Sequence, residues 1–193
     1  MLRLLTRREK WPFESPNGQL LLRPLQRADI DHIRRWFHDK ELIRLAFGTS
    51  AEGPTLERLA REYCQEIQSG RRNALAIWTP QGRFIGFVRF NLRRRGRERI
   101  ARVGIMIGQR VYWNGGFGTE AMLALNAYLF KRRQANLIEL DTADFNTRAQ
   151  RCFEKCGFRR KREQNLVSLV DGSSSTKIWM ELERARWERD YAY

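Results

Sequence analysis

Apolar side chains in this chain recur at two spacings, and each switch between them marks a change of element. Leu20, Leu21 and Leu22 follow a turn at Ser15-Pro16-Asn17-Gly18 and predict a first strand. Asp29 precedes Ile30, Ile33, Trp36 and Phe37 at helical spacing, and Leu56, Leu59, Tyr63 and Ile67 repeat the pattern between Thr55 and Ile67. Two amphipathic helices are therefore expected after the first strand. Ala74–Trp78, Phe84–Leu92 and Ile100–Ile107 are runs rich in Ile, Val and Phe, joined by Pro80-Gln81-Gly82 and by Arg93-Arg94-Arg95-Gly96-Arg97. They predict an antiparallel meander. Beyond the glycines at 115, 116 and 118 the helical pattern returns through Phe130. Leu137–Ala143 then reads as a strand and Thr147–Lys155 as a helix, with two last strands flanking Asp171-Gly172-Ser173.

The predicted order is strand, two helices, three strands, helix, strand, helix, two strands. Without internal repeat or low-complexity linker, it describes one mixed α/β domain over residues 20–183, with an N-terminal arm at 1–19 and a C-terminal tail at 184–193. The chain's 193 residues, 42% of them hydrophobic, suffice for a core that needs no disulfide or metal staple. Charge breaks every apolar run well short of the roughly 20 residues that a bilayer crossing requires, and the start lacks a signal-peptide apolar stretch, so no membrane partner and a cytoplasmic location are expected. Cys64, Cys152 and Cys156 cannot all pair within one chain. Neither His32 nor His38 stands at metal-ligand spacing from them, so no metal is expected.

Charge changes this picture more than composition does. Lys plus Arg outnumber Asp plus Glu by 37 to 22, a formal charge of +15, which calls for an anionic partner: a nucleotide cofactor, RNA or acidic lipid. Arg93–Arg97, Lys131-Arg132-Arg133 and Arg159-Arg160-Lys161-Arg162 fall at connections or element ends, where such runs are usually solvated surface.

The stretch from Gly104 to Ala121 narrows the choice. It is a strand feeding a glycine-rich turn that opens directly into a helix. Gly115, Gly116 and Gly118 let backbone approach a ligand closely, and the unpaired amides at the start of the new helix suit a diphosphate; Arg110 offers a charge-assisted contact beside them. In a second segment, Asp144–Phe158, Asn146 stands at a strand-to-helix corner and Gly157 ends the helix.

Together these segments resemble the GCN5-related N-acetyltransferase (GNAT) family, and within it the branch that includes the ribosomal-protein N-terminal acetyltransferases. That branch commonly reads Y-W-G-K-G-x-G/A-T-E-A and N-x-x-A/S-x-x-x-Y-E-K-x-G-F. Tyr112, Trp113, Gly116, Gly118, Thr119, Glu120 and Ala121 match the first motif, and Asn146, Ala149, Glu154, Lys155, Gly157 and Phe158 the second. Leu22-Arg23-Pro24-Leu25 looks like the family's first strand, so the resemblance spans about residues 20–183.

The resemblance implies a twisted, mostly antiparallel sheet of about seven strands with about four helices, splayed between the fourth and fifth predicted strands. Acetyl-CoA would lie in the splay, its pantetheine bonded to the backbone of Ile105, Met106 and Ile107. Trp113, Asn114, Gly115, Gly116, Phe117, Gly118 and Thr119 would hold the pyrophosphate, Asn146 the pantetheine arm, and Ala149 and Phe153 the wall near the thioester. The implied reaction is direct attack, in a ternary complex, by a primary amine: a protein N-terminus, an amino sugar, an amino acid or another small amine. Trp36, Phe37, Phe47, Tyr63 and the loop around Gly172 would build the acceptor pocket.

Two departures leave the catalytic residues unassigned. Where relatives commonly read A-E-x-G with a carboxylate base, this chain reads Ala101-Arg102-Val103-Gly104, and Phe153 replaces the tyrosine that protonates the leaving thiolate. Water could take the amine's proton; Asp141, Asp144, Glu98 or His38 could substitute; or the chain could be a noncatalytic acyl-CoA sensor. Asp141 and Asp144 should sit on opposite faces of a strand. An RNA-associated protein, including one that acetylates aminoacyl-tRNA, is the remaining alternative, and a sheet edge or the last hairpin would support a homodimer.

Overall fold

The computed structural model describes residues 11–48, 53–70, 73–167 and 174–191. Among the described residues eight strands form one sheet: β1 (Phe13–Glu14), β2 (Leu21–Pro24), β3 (Asn73–Trp78), β4 (Phe84–Arg95), β5 (Glu98–Ile107), β6 (Leu137–Ala143), β7 (Arg159–Val167) and β8 (Ser174–Glu183). Their order across the sheet is β1-β2-β3-β4-β5-β6-β8-β7. The helices are α1 (Arg27–Trp36), α2 (Lys40–Phe47), α3 (Gly53–Gln68), α4 (Phe117–Ala127), α5 (Thr147–Lys155) and α6 (Arg184–Tyr191). A 3-10 turn at Arg110–Tyr112 precedes α4, and a π turn at Tyr128–Arg132 extends it.

Period-2 alternation assigns the strand side chains to two cores. Leu75 and Ile77 of β3 join Ala101 and Val103 of β5 under α4, α5 and α6, whereas Ala74 and Ala76 join Phe87 and Met106 under α1, α2 and α3. Local chemistry starts the helices. The Asp29 carboxylate accepts from the Gln26 amide (2.7 Å) at the head of α1 and pairs with Arg23 (2.8 Å). Asp39 accepts from the Leu42 amide (3.1 Å) to cap α2, which Gly48 ends at φ +68°.

The meander of β3, β4 and β5 is antiparallel as the pattern predicts. The sheet has one strand more than expected and the chain more helices. Among them, α2 buries only Leu42 and Ile43 in eight residues, too few for a periodic signal. The C-terminal segment includes α6, where Trp187 is a lone buried apolar residue among charges and rests on Phe130 at a ring separation of 5.1 Å. The arm contributes β1, whose Phe13 stacks on Tyr128 (5.5 Å). The predicted Asp171-Gly172-Ser173 turn lies outside the described residues.

One feature of the sheet positions the site. β5 and β6 are parallel and pair only over Ile100–Arg102 with Leu137–Glu139, whereas β6 stays paired with β8 along its full length. Beyond Arg102 the two strands diverge, so the sheet opens between the fourth and fifth of the predicted strands, and the backbone of Gly104–Ile107 faces the gap. Among the described residues no helix is long and apolar enough to cross a membrane, and no group of three or more His, Cys, Asp or Glu side chains could hold a metal.

Candidate active site

A cavity of about 520 Å³ occupies the gap between β5 and β6. Its floor is Gly104, Ile105, Met106 and Ile107. One wall is Trp113, Asn114, Gly116, Gly118 and Thr119, and the other is Asn146, Ala149 and Phe153 with the rest of α5's inner face. Eleven of the fourteen residues that the sequence and the resemblance assigned to the cofactor therefore line one space. Gly115 and Phe117 belong to the same turn but do not line it, and Phe117 packs edge-on against Tyr112 (5.1 Å).

The turn has the geometry expected of an anion cradle. Gly116 sits at φ +82°, and a Cβ there would meet no atom within 4 Å, so the space beside it is open. The first α4 amide bonded within the helix is that of Glu120, to the Gly116 carbonyl (3.1 Å), so the amides of Phe117, Gly118 and Thr119 precede the helical ladder. Asn146 caps α5 by accepting from the Ala149 amide (3.2 Å), and its side-chain amide donates to the Leu45 carbonyl (3.0 Å). This tie to α2 joins the two sides of the cavity.

Arg110 is placed differently from the contact expected for it. Its guanidinium donates to both Asp39 oxygens (2.7 and 2.9 Å) and to Glu41 (2.5 Å), outside the cavity lining. The Arg110 hydrogen bond is the main cause holding the Asp39 carboxyl below the usual 3.8. Because that value is depressed on folding, the clamp between α2 and the 3-10 turn is complete at neutral pH and is lost only as pH falls through the lowered value.

Cation density inside the cavity comes instead from Arg89 of β4 and from α5, whose basic side chains the sequence did not mark as ligands. Arg148, Arg151, Cys152 and Lys155 all line the space. Their spacing of three, four and seven residues is that of one helix face, a signal present in the sequence. Arg148 lies over the Trp113 ring at 3.6 Å, while the Trp113 indole donates to the Ile107 carbonyl (2.8 Å). Burial lowers the pKa of this arginine. The Cys152 thiol is shifted down by hydrogen bonding from Cys156 and from Thr119, with Lys155 and Arg148 adding positive charge.

Of the acids considered as bases, Asp141 alone lines the cavity. It is already engaged by Arg102 and by Lys177 (3.0 Å), and Arg102 also faces Glu139 at 3.8 Å and stacks on Trp179 at 4.2 Å. Asp144 turns back to accept from the Phe145 amide (2.8 Å), Glu98 pairs with Arg95 (2.8 Å), and His38 is exposed outside the lining. Phe47 and Tyr63, two of the residues expected to build the acceptor pocket, line the cavity, and Trp36 and Phe37 pack in the core behind them. The surface arginine runs are partly neutralised: Arg93 pairs with Glu139 (3.0 Å), and Arg160 with Glu154 (3.4 Å).

The family model described as the acetyltransferase (GNAT) domain matches residues 19–159. This chain belongs to the GNAT acetyltransferase family. Among curated proteins it is similar to the aminoglycoside N(6')-acetyltransferase type 1 of Klebsiella pneumoniae, 24% identical over 90% of this chain and 87% of that one. Among solved structures it resembles the spermidine N-acetyltransferase of Vibrio cholerae in complex with CoA and spermine (TM-score 0.73, 22% identity, 89% of this chain and 99% of that one). It also resembles the aminoglycoside acetyltransferase AAC(6')-Ib in complex with coenzyme A (TM-score 0.70, 19% identity, 89% and 98%). These GNAT structures share the fold of the present chain, including an open sheet flanked by helices.

Proposed function

We propose that this chain is an acetyl-CoA-dependent N-acetyltransferase that acts on a primary amine by direct attack in a ternary complex. The observation that carries the proposal is the divergence of β5 from β6, which opens one cavity onto strand backbone, a glycine cradle and a cationic helix face together. These residues fit acetyl-CoA: the cradle leaves room beside Gly116 for a diphosphate, and Arg148, Arg151 and Lys155 offset its charge. When bound, acetyl-CoA supplies a thioester carbonyl and a thiolate leaving group. Ile105, Met106 and Ile107 present backbone to the pantetheine and an amide to the carbonyl oxygen, Asn146 orients the arm, and Ala149 and Phe153 wall the reacting end.

Positioning supplies most of the catalysis in this reading. The carboxylate among the described lining residues is occupied by Arg102 and Lys177, so the amine's proton passes to solvent, and because Phe153 has no proton to donate, the sulfur would leave as a thiolate that solvent protonates. Within the family we place the chain beside the ribosomal-protein N-terminal acetyltransferases, on the strength of Tyr112-Trp113 and of the motif that begins at Asn146.

Calorimetric titration of nucleic-acid-free protein with acetyl-CoA tests the reading. Saturable one-to-one binding that survives moderate salt is expected; binding that vanishes as salt screens the arginines would transfer the cavity to a purely electrostatic ligand. A second measurement uses Cys152, the one cysteine of the three that is not buried. Alkylation should reach it first, and acetyl-CoA at ten times its Kd should slow labelling about tenfold by occupying the cavity. Unchanged labelling would put the bound molecule elsewhere.

A further inference from the structure

We infer that the acceptor amine of this enzyme carries a carboxylate, which Arg89 of β4 binds. The inference rests on the acetyltransferase reading and names the substrate class of the same cavity. Arg89 lines the cavity, half-buried, on the sheet face it shares with Phe87 and Met106. Its backbone lies opposite Gly104 of β5, and its guanidinium lies over that glycine, so that a Cβ there would stand 2.9 Å from Nε and 3.1 Å from Cζ. The missing side chain at 104 thus makes the room that the guanidinium fills. Met106, at the cavity floor, follows two residues along the same face, roughly 7 Å away.

What makes Arg89 informative is the charge around it. Down this face of the sheet run Arg93, Arg102 and Lys177 with the acids Glu139 and Asp141, while Glu181, opposite Glu139, pairs with Lys161 (3.8 Å). Glu139 is taken by Arg93 and approached by Arg102, and Asp141 is taken by Arg102 and Lys177. Arg89, among the described residues, has no carboxylate, carbonyl or ring partner. A half-buried guanidinium without an anion is unfavourable, and its planar donor fork matches a carboxylate's two oxygens. Leu42, Leu45, Ala46, Phe47, Tyr63 and Phe87 give the same compartment an apolar wall. Among the described residues, polycationic amines find no free acid in this lining, since Asp141 is already engaged. An amine that brings its own carboxylate and an apolar side chain fits both features.

Two sources share that chemistry: the α-carboxylate of a free amino acid, and an acidic side chain next to a peptide's N-terminal amine. The test compares leucine, leucinamide and isopentylamine, then dipeptide amides beginning with aspartate or asparagine, with spermidine and kanamycin as polycations. Acetyl-CoA-dependent thiol release gives kcat/KM for each. Expected is a preference of about tenfold or more for the carboxylate member of at least one matched pair, the pair identifying the source. For leucine over leucinamide this ordering runs against the fraction of free amine, because leucinamide's amine is the more easily deprotonated. Arg89→Gln should abolish the preference and Arg89→Lys retain part of it, with the KM for acetyl-CoA unchanged in both. Equal rates within each pair, preference for the polycations, or a uniform loss in Arg89→Gln across all acceptors would overturn the inference.

Calorimetry separates its failure from that of the parent reading. If acetyl-CoA does not bind, the acetyltransferase reading itself falls. If it binds without turnover, the same amines and amides are titrated into the CoA complex. Carboxylate-selective binding lost in Arg89→Gln sustains the assignment, and binding indifferent to the carboxylate refutes it.

Discussion

Replacing Gly116 with valine is expected to weaken acetyl-CoA binding by about a hundredfold while the protein stays folded. At φ +82° a residue with a Cβ costs roughly 1–2 kcal/mol, and a β-branched one more. No heavy atom lies within 4 Å of the position where the Cβ would be built, so the substitution meets no packing resistance and leaves both cores untouched. The strain is relieved by rotating the turn, and that rotation swings the amides of Phe117, Gly118 and Thr119 away from a common point. Losing one or two charge-assisted hydrogen bonds at about 1.5–3 kcal/mol each accounts for the hundredfold. Gly82 supplies a matched control. It too is left-handed, at φ +76°, with nothing within 4 Å of a built Cβ, but it sits in the β3–β4 hairpin away from the cavity. Gly82→Val should therefore carry the same backbone strain and leave the Kd unchanged. Titration of both variants beside thermal melts decides the matter: equal Kd values for Gly116→Val and wild type would remove the turn from the binding site.

Those glycines were legible in the sequence because their effect is local. A run of residues without Cβ before a helix, and an asparagine that caps another, act on backbone within a few positions, so spacing alone reveals them. The meander was legible for a similar reason, since the apolar runs and turn residues of consecutive strands stand close together in the sequence, whereas the open seam was expected only from the family resemblance. Charge pairing was not. Arg110 looks like a phosphate ligand when read beside Gly115 and Gly116, but its partners Asp39 and Glu41 lie 71 and 69 residues away and reach it only once α2 packs beside the 3-10 turn. Arg102 reads as a lost catalytic acid until the register of β5 against β6 brings it to Asp141. The elements absent from the predicted order, β1, α2 and α6, are short and fully bury at most two side chains each, below what any periodicity can register. The cationic face of α5 was hidden differently: its spacing is helical, but the motif around Asn146 and Gly157 drew attention to other residues of the same helix.

Gly86→Ala should be the most damaging single-methyl change in the sheet, lowering Tm by about 5–10 °C. Gly86 of β4 is buried opposite Ile107 of β5. A Cβ there would stand 3.0 Å from the Ile107 Cα, 3.2 Å from its Cδ1 and closer still to the Met106 carbonyl oxygen. Two of these three neighbours are backbone, which yields only if the strand moves, and overpacking of this kind costs about 1–3 kcal/mol. At about 2–4 °C per kcal/mol for a chain of this size, the melting shift follows. Gly104→Ala on the neighbouring strand makes the contrast. There the methyl meets the end of a flexible guanidinium, so the stability loss should be under about 0.5 kcal/mol while Arg89 is displaced. The two substitutions thus separate frame from site. Gly86→Ala shifts Met106 and Ile107, the floor proposed to hold the pantetheine, and should weaken acetyl-CoA binding along with Tm. Gly104→Ala should keep both and lose acceptor discrimination. A Gly86→Ala protein with wild-type Tm and Kd would mean that β4 and β5 separate easily at their open end, and the cavity floor would then not be the rigid surface on which positioning depends.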